Sequence, residues 1–478
     1  MSESAEEVLA PEAWRTLGWT SLAVFMALLD ATILFVAFPS IRRSFPEASV
    51  ADLSWILNAY TIVYAALLVP AGRMADRVGR RRVFLIGVWV FTLGSLACGV
   101  APTPAFIVAG RVLQAVGGAM LTPPSLALVL AAFPRSKRSL AVSLWAAVGA
   151  LAAAVGPSLG AAIIQFGGWR WAFLLNLPLG AAVVRGGRVL TESRDSSAAD
   201  APDVIGVGLL ILGIGLVALG MVQGREWGIP LALACVAAGL AVLVLFGLRS
   251  RTVSSPALDF SLFASANFRY ANLATLVFGA AFSAMWLASV LFLTNVWGYS
   301  TLEAGLGMTP GPLAVMLVAP IAGRLGGRYG HRPLLVPGGT VFALAFLTRY
   351  LVTSPTPRYL AEWLPALLLS GIGIGLVLPA LTGASAHDLP PHRFGVGSGV
   401  NQAIRQIGAV LGVGAVIALV GTQHGPGALP AFDTVFLLLA LGGISAGVIS
   451  AAIDTHPGAD PSRGEGTLVV SLRRDSAA

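Results

Sequence analysis

Asp30 is the only acidic residue deep inside an apolar run of membrane length, and Arg111 lies in another such run. A charged side chain at the centre of a membrane span costs about 2.5–3.5 kcal/mol on insertion scales, so residues of this kind are functional candidates. Asp30 stands nine residues before Pro39, about 13 Å from that end of its run at ~1.5 Å per residue, and Arg111 lies about 10 Å into its own run from the same side. The two therefore reach a common depth. Burial disfavours an ionised carboxyl and a nearby guanidinium favours it, so movement between two environments would change the proton occupancy of Asp30. A permanent ion pair joining the two runs is the structural alternative. Arg405, about ten residues into a later run, has no acid at its depth; it serves either an anionic substrate group or backbone carbonyls with Gln402 or Gln406. Glu362, Arg349 and Arg358 fall near the end of their runs, where a surface charge network is expected. His387 and His392 flank a Pro-Pro pair and read as solvated loop residues, not as a metal site.

The uncharged candidates are polar or aromatic residues within the runs: Asn58, Tyr60, Tyr64, Gln114, Trp145, Trp286, Asn295 and Gln402. Any of them could line a substrate pocket, although aromatic residues in membrane helices also face lipid or neighbouring helices. Gly156 and Pro157, with Gly160 following, remove a backbone donor inside a long run and predict a local bend against which another helix packs closely. Two short phrases repeat: GRMADRVGRR from Gly72 to Arg81 and GRLGGRYGHR from Gly323 to Arg332. Gly72 and Gly79 allow close approach and a tight turn, and Asp76 can pair with Arg77 or Arg80. This predicts either a conformational latch or a set of arginines that only fix topology. Gly327 replaces Asp76 in the second copy, so any latch is expected to be one-sided.

The elements that must hold these residues follow from composition. Of 478 residues 56% are hydrophobic and 11% charged, with a mean hydropathy of +0.83, against roughly 25% charged in an ordinary soluble domain. Segments of about 20 apolar residues cross a bilayer core, and fourteen such runs can be drawn. The net charge of +8 does not point to nucleic acid, because the basic residues sit in the short breaks between runs. With the N-terminus inside, Arg42, Arg43, Arg170, Arg225 and Arg358 are the external ones and most others cytoplasmic, as the positive-inside rule requires. The offset of the two phrases leaves space for two runs beyond a six-helix repeat. The expected organisation is a cytoplasmic N-terminus (1–17), a six-helix bundle (18–190), a cytoplasmic linker (191–203), an inserted helical hairpin (204–248), a cytoplasmic connection (249–269), a second six-helix bundle (270–453) and a cytoplasmic tail (454–478). Cys98 and Cys235 both lie in apolar runs and read as packing residues. The acidic N-terminus lacks the basic start and cleavage site of a signal peptide.

Five motifs in order resemble the major facilitator superfamily and, within it, the fourteen-span drug/proton antiporters. They are LDATILFVAFP (Leu29 to Pro39), the loop Gly72 to Arg82, Arg111 with Gln114 and Gly117, VGPSLGA (Val155 to Ala161) and WRWAFLLNLPLG (Trp169 to Gly180). The pattern departs at Phe35, where a polar Asn is usual, and at Ala115 and Ala161, where Gly is usual. The resemblance implies an all-α polytopic fold of two six-helix bundles plus a two-helix hairpin, in a bacterial inner membrane. It implies a monomeric proton-coupled antiporter that exports amphipathic or lipophilic small molecules by alternating access. It also ties the Gly156–Pro157 bend to antiport and the first Gly/Arg loop to conformational control. No enzyme chemistry, cofactor or metal is expected, and no GxxxxGK[ST] phosphate loop is present. The partners are the substrate, protons and the bilayer. A narrow physiological substrate on the same fold, or a non-transporting sensor, are the competing readings.

Overall fold

The computed structural model describes residues 11–134, 137–194, 203–389, 393–421, 423 and 425–455, which form helices and short turns with no strand among them. The helices are α1 (Pro11–Ser44), α2 (Val50–Val78), α3 (Arg80–Gly99), α4 (Pro104–Ala132), α5 (Arg138–Gly167), α6 (Arg170–Leu174), α7 (Asn176–Gly186), α8 (Val204–Trp227), α9 (Ile229–Ser250) and α10 (Ala266–Asn295). They continue with α11 (Thr301–Met308), α12 (Pro310–Tyr329), α13 (Arg332–Val352), α14 (Leu364–Ala386), α15 (Phe394–Val420) and α16 (Leu429–Ser450). Thirteen helical segments among the described residues are long and apolar enough to cross a membrane, α11 and α12 together forming one of them. The sixth expected span is instead broken into α6, α7 and a tight turn over Gly187–Val189. Pro178 explains the break: it cannot donate to the carbonyl of Leu174, so the helix restarts one residue later. Counting that segment as one crossing agrees with fourteen. This is a multi-pass membrane protein.

Helix ends run past the apolar stretches that betray them. α1 begins at Pro11 and ends at Ser44, and the start of the expected N-terminal segment, residues 1–10, lies outside the described residues, as do linker residues 195–202 and the tail from 456.

The duplication is visible in the packing. α1 lies on α5 as α10 lies on α15, and the same small-residue pattern makes both contacts. Gly156 and Gly160 of VGPSLG face Thr32 and Ile33 of α1, and Gly408 and Gly412 of IGAVLG face the backbone of Leu276 and Ala280 of α10. A side chain at any of these four positions would collide with the partner helix. The halves then meet crosswise, α5 on α11 and α2 on α15, and α8 of the hairpin packs on both α2 and α15. The bundle therefore has two ends: one carries the α1–α2, α5–α6 and α10–α11 loops, the other the α2–α3, α12–α13 and α14–α15 loops.

Candidate functional site

Asp30 of α1 meets Arg111 of α4 inside the first half, Nη1 to Oδ2 at 2.5 Å, with both side chains 2% exposed. The other carboxylate oxygen accepts from Asn176 Nδ2 of α7 at 2.9 Å and from Gln114 Nε2 at 3.1 Å. Both amides also donate to Ser95 Oγ of α3, at 3.1 and 2.6 Å. Arg111 also donates from Nη1 to Gln114 Oε1 at 2.8 Å and from Nε to the Ile56 carbonyl of α2 at 3.1 Å, and its guanidinium lies 4.0 Å from the centroid of the Tyr60 ring. Groups from five helices thus form one cluster around this carboxylate, with α4 and α7 touching it directly. A buried charge tolerates this site only because it is paired and hydrogen-bonded. Asn176 and Ser95 were not among the sequence candidates. Asn176 had a faint signal, a polar residue in the apolar LLNLPLG; Ser95 had none.

Gln114 is committed to this cluster. Of the other pocket candidates, Tyr64 stacks on Tyr60 with centroids 5.6 Å apart and donates to Thr122 Oγ1 at 3.3 Å. Trp145 Nε1 donates to Ser125 Oγ at 3.2 Å. Trp286 of α10 stacks on Phe35 of α1 across the two halves, centroids 6.4 Å apart. Arg405 donates to Gln402 Oε1, one of the partners expected for it. Asn58 differs from the rest: it is 1% exposed and neither amide atom has a partner among the described residues. Leaving a buried amide unpaired costs about 1–3 kcal/mol, so Asn58 is the candidate most in need of a ligand or water.

Pro157, inside the continuous helix α5, lies at the interface between the halves. Gly305 of α11 sits against the Pro157 carbonyl and Ala161 of α5, and Arg43 reaches Thr301 Oγ1 at 3.3 Å nearby. Beside this contact, at the α1–α2 end, a cavity of about 1030 Å³ is lined by both halves and by Val222 and Glu226 of the hairpin. Asn295 lines this cavity.

In the first Gly/Arg loop Asp76 pairs with Arg80, Oδ1 to Nε at 2.8 Å, while Arg77 is exposed. Gly79 has φ +129°, and its counterpart Gly330 has φ +80°. Both phrases keep a glycine where the backbone turns left-handed. Glu192, from the linker, accepts from the backbone amides of Arg81 and Arg82 at 3.0 and 3.1 Å and so caps α3. Gly72 lies against Pro123 of α4. The second loop has no acid, and open space surrounds Gly327. Its His331 is instead tied to Thr455, from N to Oγ1 at 2.8 Å and Nδ1 to Oγ1 at 2.9 Å. Burial and the neighbouring His387 hold His331 below the usual histidine range.

Arg349 corrects the expected surface network. It is 1% exposed, with its guanidinium 3.6 Å from the Trp363 ring centroid and Nη1 donating to Ser289 Oγ at 3.0 Å. Glu362 is also buried and accepts from the Ser354 amide at 2.9 Å. Only Arg358, 3.8 Å from Glu362, is at the surface. His387 pairs with Asp388 at 2.8 Å, and His392 lies outside the described residues. Although burial opposes it, hydrogen bonds from His387, Ser265 and Asn267 hold Asp388 below the ordinary carboxylate range.

Comparison with known proteins agrees with this architecture. The family model of the Major Facilitator Superfamily matches residues 20–413, and again 271–476. The multidrug resistance protein Stp of Mycobacterium tuberculosis is 36% identical over 414 residues, 84% of this chain and 75% of that protein. A methylenomycin A resistance protein of Streptomyces coelicolor is 32% identical over 429 residues, 88% and 89% of the two chains. The cephamycin export protein of Amycolatopsis lactamdurans is 34% identical over 409 residues, 84% and 83%. A solved structure from work on proton-dependent oligopeptide transporters is similar in fold, with a TM-score of 0.65 at 18% identity, covering 91% of this chain and 98% of that one.

Proposed function

Because the chain belongs to the major facilitator superfamily, we propose that it is an efflux transporter that exchanges external protons for an amphipathic small molecule. Relatives named for multidrug resistance and for antibiotic resistance or export support the efflux reading. The observation that carries the coupling is the enclosed Asp30 site, where one carboxylate gathers a guanidinium and two amides from other helices. A rearrangement of α1 against α4 and α7 within the first half, accompanying the rocking of the halves, would loosen that shell and let the carboxyl take up or release a proton. A pH difference of one unit supplies about 1.4 kcal/mol per proton, and a further ~2.3 kcal/mol per 100 mV comes with one charge. Together these sustain a gradient of roughly several hundredfold for a neutral substrate. The test is substrate-driven proton movement in liposomes: adding substrate to one side should draw protons from the other side onto that same side, and a dissipated proton gradient without substrate flux would reject exchange. The names of relatives tied to single antibiotics also favour a narrow substrate range, which a transport panel against structurally unrelated compounds would separate from multidrug export.

The α1–α2 end is the external one in this proposal and the membrane the bacterial inner membrane, as the arginine distribution suggests. Single cysteines at Glu226 and Thr252 should then label from outside and inside respectively. Labelling of both from one side would reject the orientation.

The first Gly/Arg loop acts as the latch. Asp76→Asn removes a charge-assisted bond present only in the first copy and should shift the inward/outward population by about 2- to 5-fold, the size of a partly exposed pair. Gly327→Ala, entering open space, should leave it unchanged. Equal shifts in inter-spin distance for the two variants would count against a one-sided latch.

A further inference from the structure

A second cavity, of about 540 Å³, opens at the α2–α3 end, where three parts of the molecule meet. Arg73 reaches it from α2, Ser250 and Arg251 from the end of α9 and the connection after it, and Arg393 from the residue before α15. The lining thus holds three arginines and one carboxylate, that of Asp259. Arg393 Nη2 binds Asp259 Oδ2 at 2.8 Å, and Arg73 Nη1 donates to the Pro256 carbonyl at 2.7 Å. Arg251 is exposed and has no ion-pair or hydrogen-bond partner for its guanidinium among the described residues. Ser250 supplies an independent sign: it is 6% exposed, lines the cavity, and its hydroxyl has no partner among the described residues. A buried hydroxyl and surplus guanidiniums share one need, an acceptor-rich anion.

We propose that this cavity binds a phosphate group, presented as the headgroup of an anionic phospholipid. Phosphate matches guanidinium donors in geometry and charge. The position suits a lipid source, since the cavity lies at an end of the bundle, flanked by α9, whose outward side is nearly all exposed and apolar. Basic pockets between membrane helices take lipid headgroups by the same logic. The bound phosphate joins Arg73 of the first half to Arg393 of the second through the hairpin connection, so the lipid would bridge the two halves beside the α2–α15 seam. The reading does not depend on which substrate is exported.

The test uses the full-length protein in detergent micelles supplemented with phosphatidylglycerol, phosphatidylcholine or inorganic phosphate, with bound lipid counted by native mass spectrometry and unfolding temperature measured in parallel. Wild-type protein should retain phosphatidylglycerol over phosphatidylcholine, and Arg251→Gln should weaken that retention about 5-fold, the effect of one arginine near an anionic surface. Arg251 carries no contact that the fold needs, so the variant should keep its unliganded unfolding temperature. Arg358→Gln, at the opposite end, is the control and should retain lipid normally. Protection by inorganic phosphate that is lost in Arg251→Gln, without lipid retention, would support the anion site and assign it to a soluble phosphate. Equal retention of both lipids with no phosphate effect, or retention indifferent to Arg251→Gln, overturns the proposal.

Discussion

Asp30→Asn is expected to abolish uphill export in liposomes with an imposed pH gradient while leaving substrate binding measurable. Asparagine keeps the size of the side chain and can still meet Gln114 and Asn176, but it has no exchangeable carboxyl proton. The substitution has a second effect, because it leaves the Arg111 guanidinium, 2% exposed, without its counter-charge. Breaking a buried pair by removing one partner costs about 3–5 kcal/mol, so loss of activity could follow from loss of fold. The double variant Asp30→Asn/Arg111→Gln separates the two causes. It restores charge balance and should recover much of the thermal stability, yet uphill export should remain absent and downhill flux should no longer move protons. Arg111→Ala alone should shift the pH dependence of export, since it removes the charge that favours the ionised form of Asp30. If Asp30→Asn still concentrates substrate at an unchanged proton stoichiometry, the cluster is a structural tie between α1 and α4, and coupling lies elsewhere.

How much of that site could be read in advance depended on the cost of each residue type in a membrane. Asp30 and Arg111 stood out because a charge in an apolar run is expensive, and counting residues from the run ends was enough to place them at one depth. Asn176 and Ser95 complete the shell, but uncharged polar residues are cheap in a helix that can satisfy them locally, so neither advertises a partner. Arg349 shows the converse limit. Its place near the end of α13 gave its depth correctly but not its azimuth, and the azimuth turns it onto Trp363 and away from the surface. The same limit hid Glu192, whose cap on α3 joins residues 110 positions apart. Helix number was legible from run length except at α6 and α7, where Pro178 divides one crossing, and at α11 and α12, which divide another just before Pro310. The second small-residue pattern, IGAVLG, lacked the proline that drew attention to VGPSLG, although it does the same packing against α10.

Gly305→Leu should move the conformational equilibrium further than any change in the Gly/Arg loop. In the structure a Cβ at Gly305 would stand 2.6 Å from the Pro157 carbonyl oxygen and closer still to the Ala161 methyl. Neither can yield easily, since one is backbone and the other is the methyl of a fully buried alanine fixed to the helix backbone. Overpacking of this kind costs about 1–3 kcal/mol, a factor of roughly 5 to 150 in population. The cost falls only on the state in which α5 and α11 touch; when the halves part at the α1–α2 end, the added side chain enters free space. Spin labels at Glu47 and Arg358 should therefore move apart in Gly305→Leu, and labels at Arg138 and Arg328 at the opposite end should approach, as rocking about a central site requires. Gly305→Ala should give a smaller shift in the same direction, and Gly327→Leu, placed where nothing lies within 4 Å, should give none. The graded pair guards against simple unfolding, which would broaden both distance distributions. Unchanged distances in a folded Gly305→Leu protein would mean that the α5–α11 contact persists through the transport cycle, and that the Pro157 region takes no part in closure.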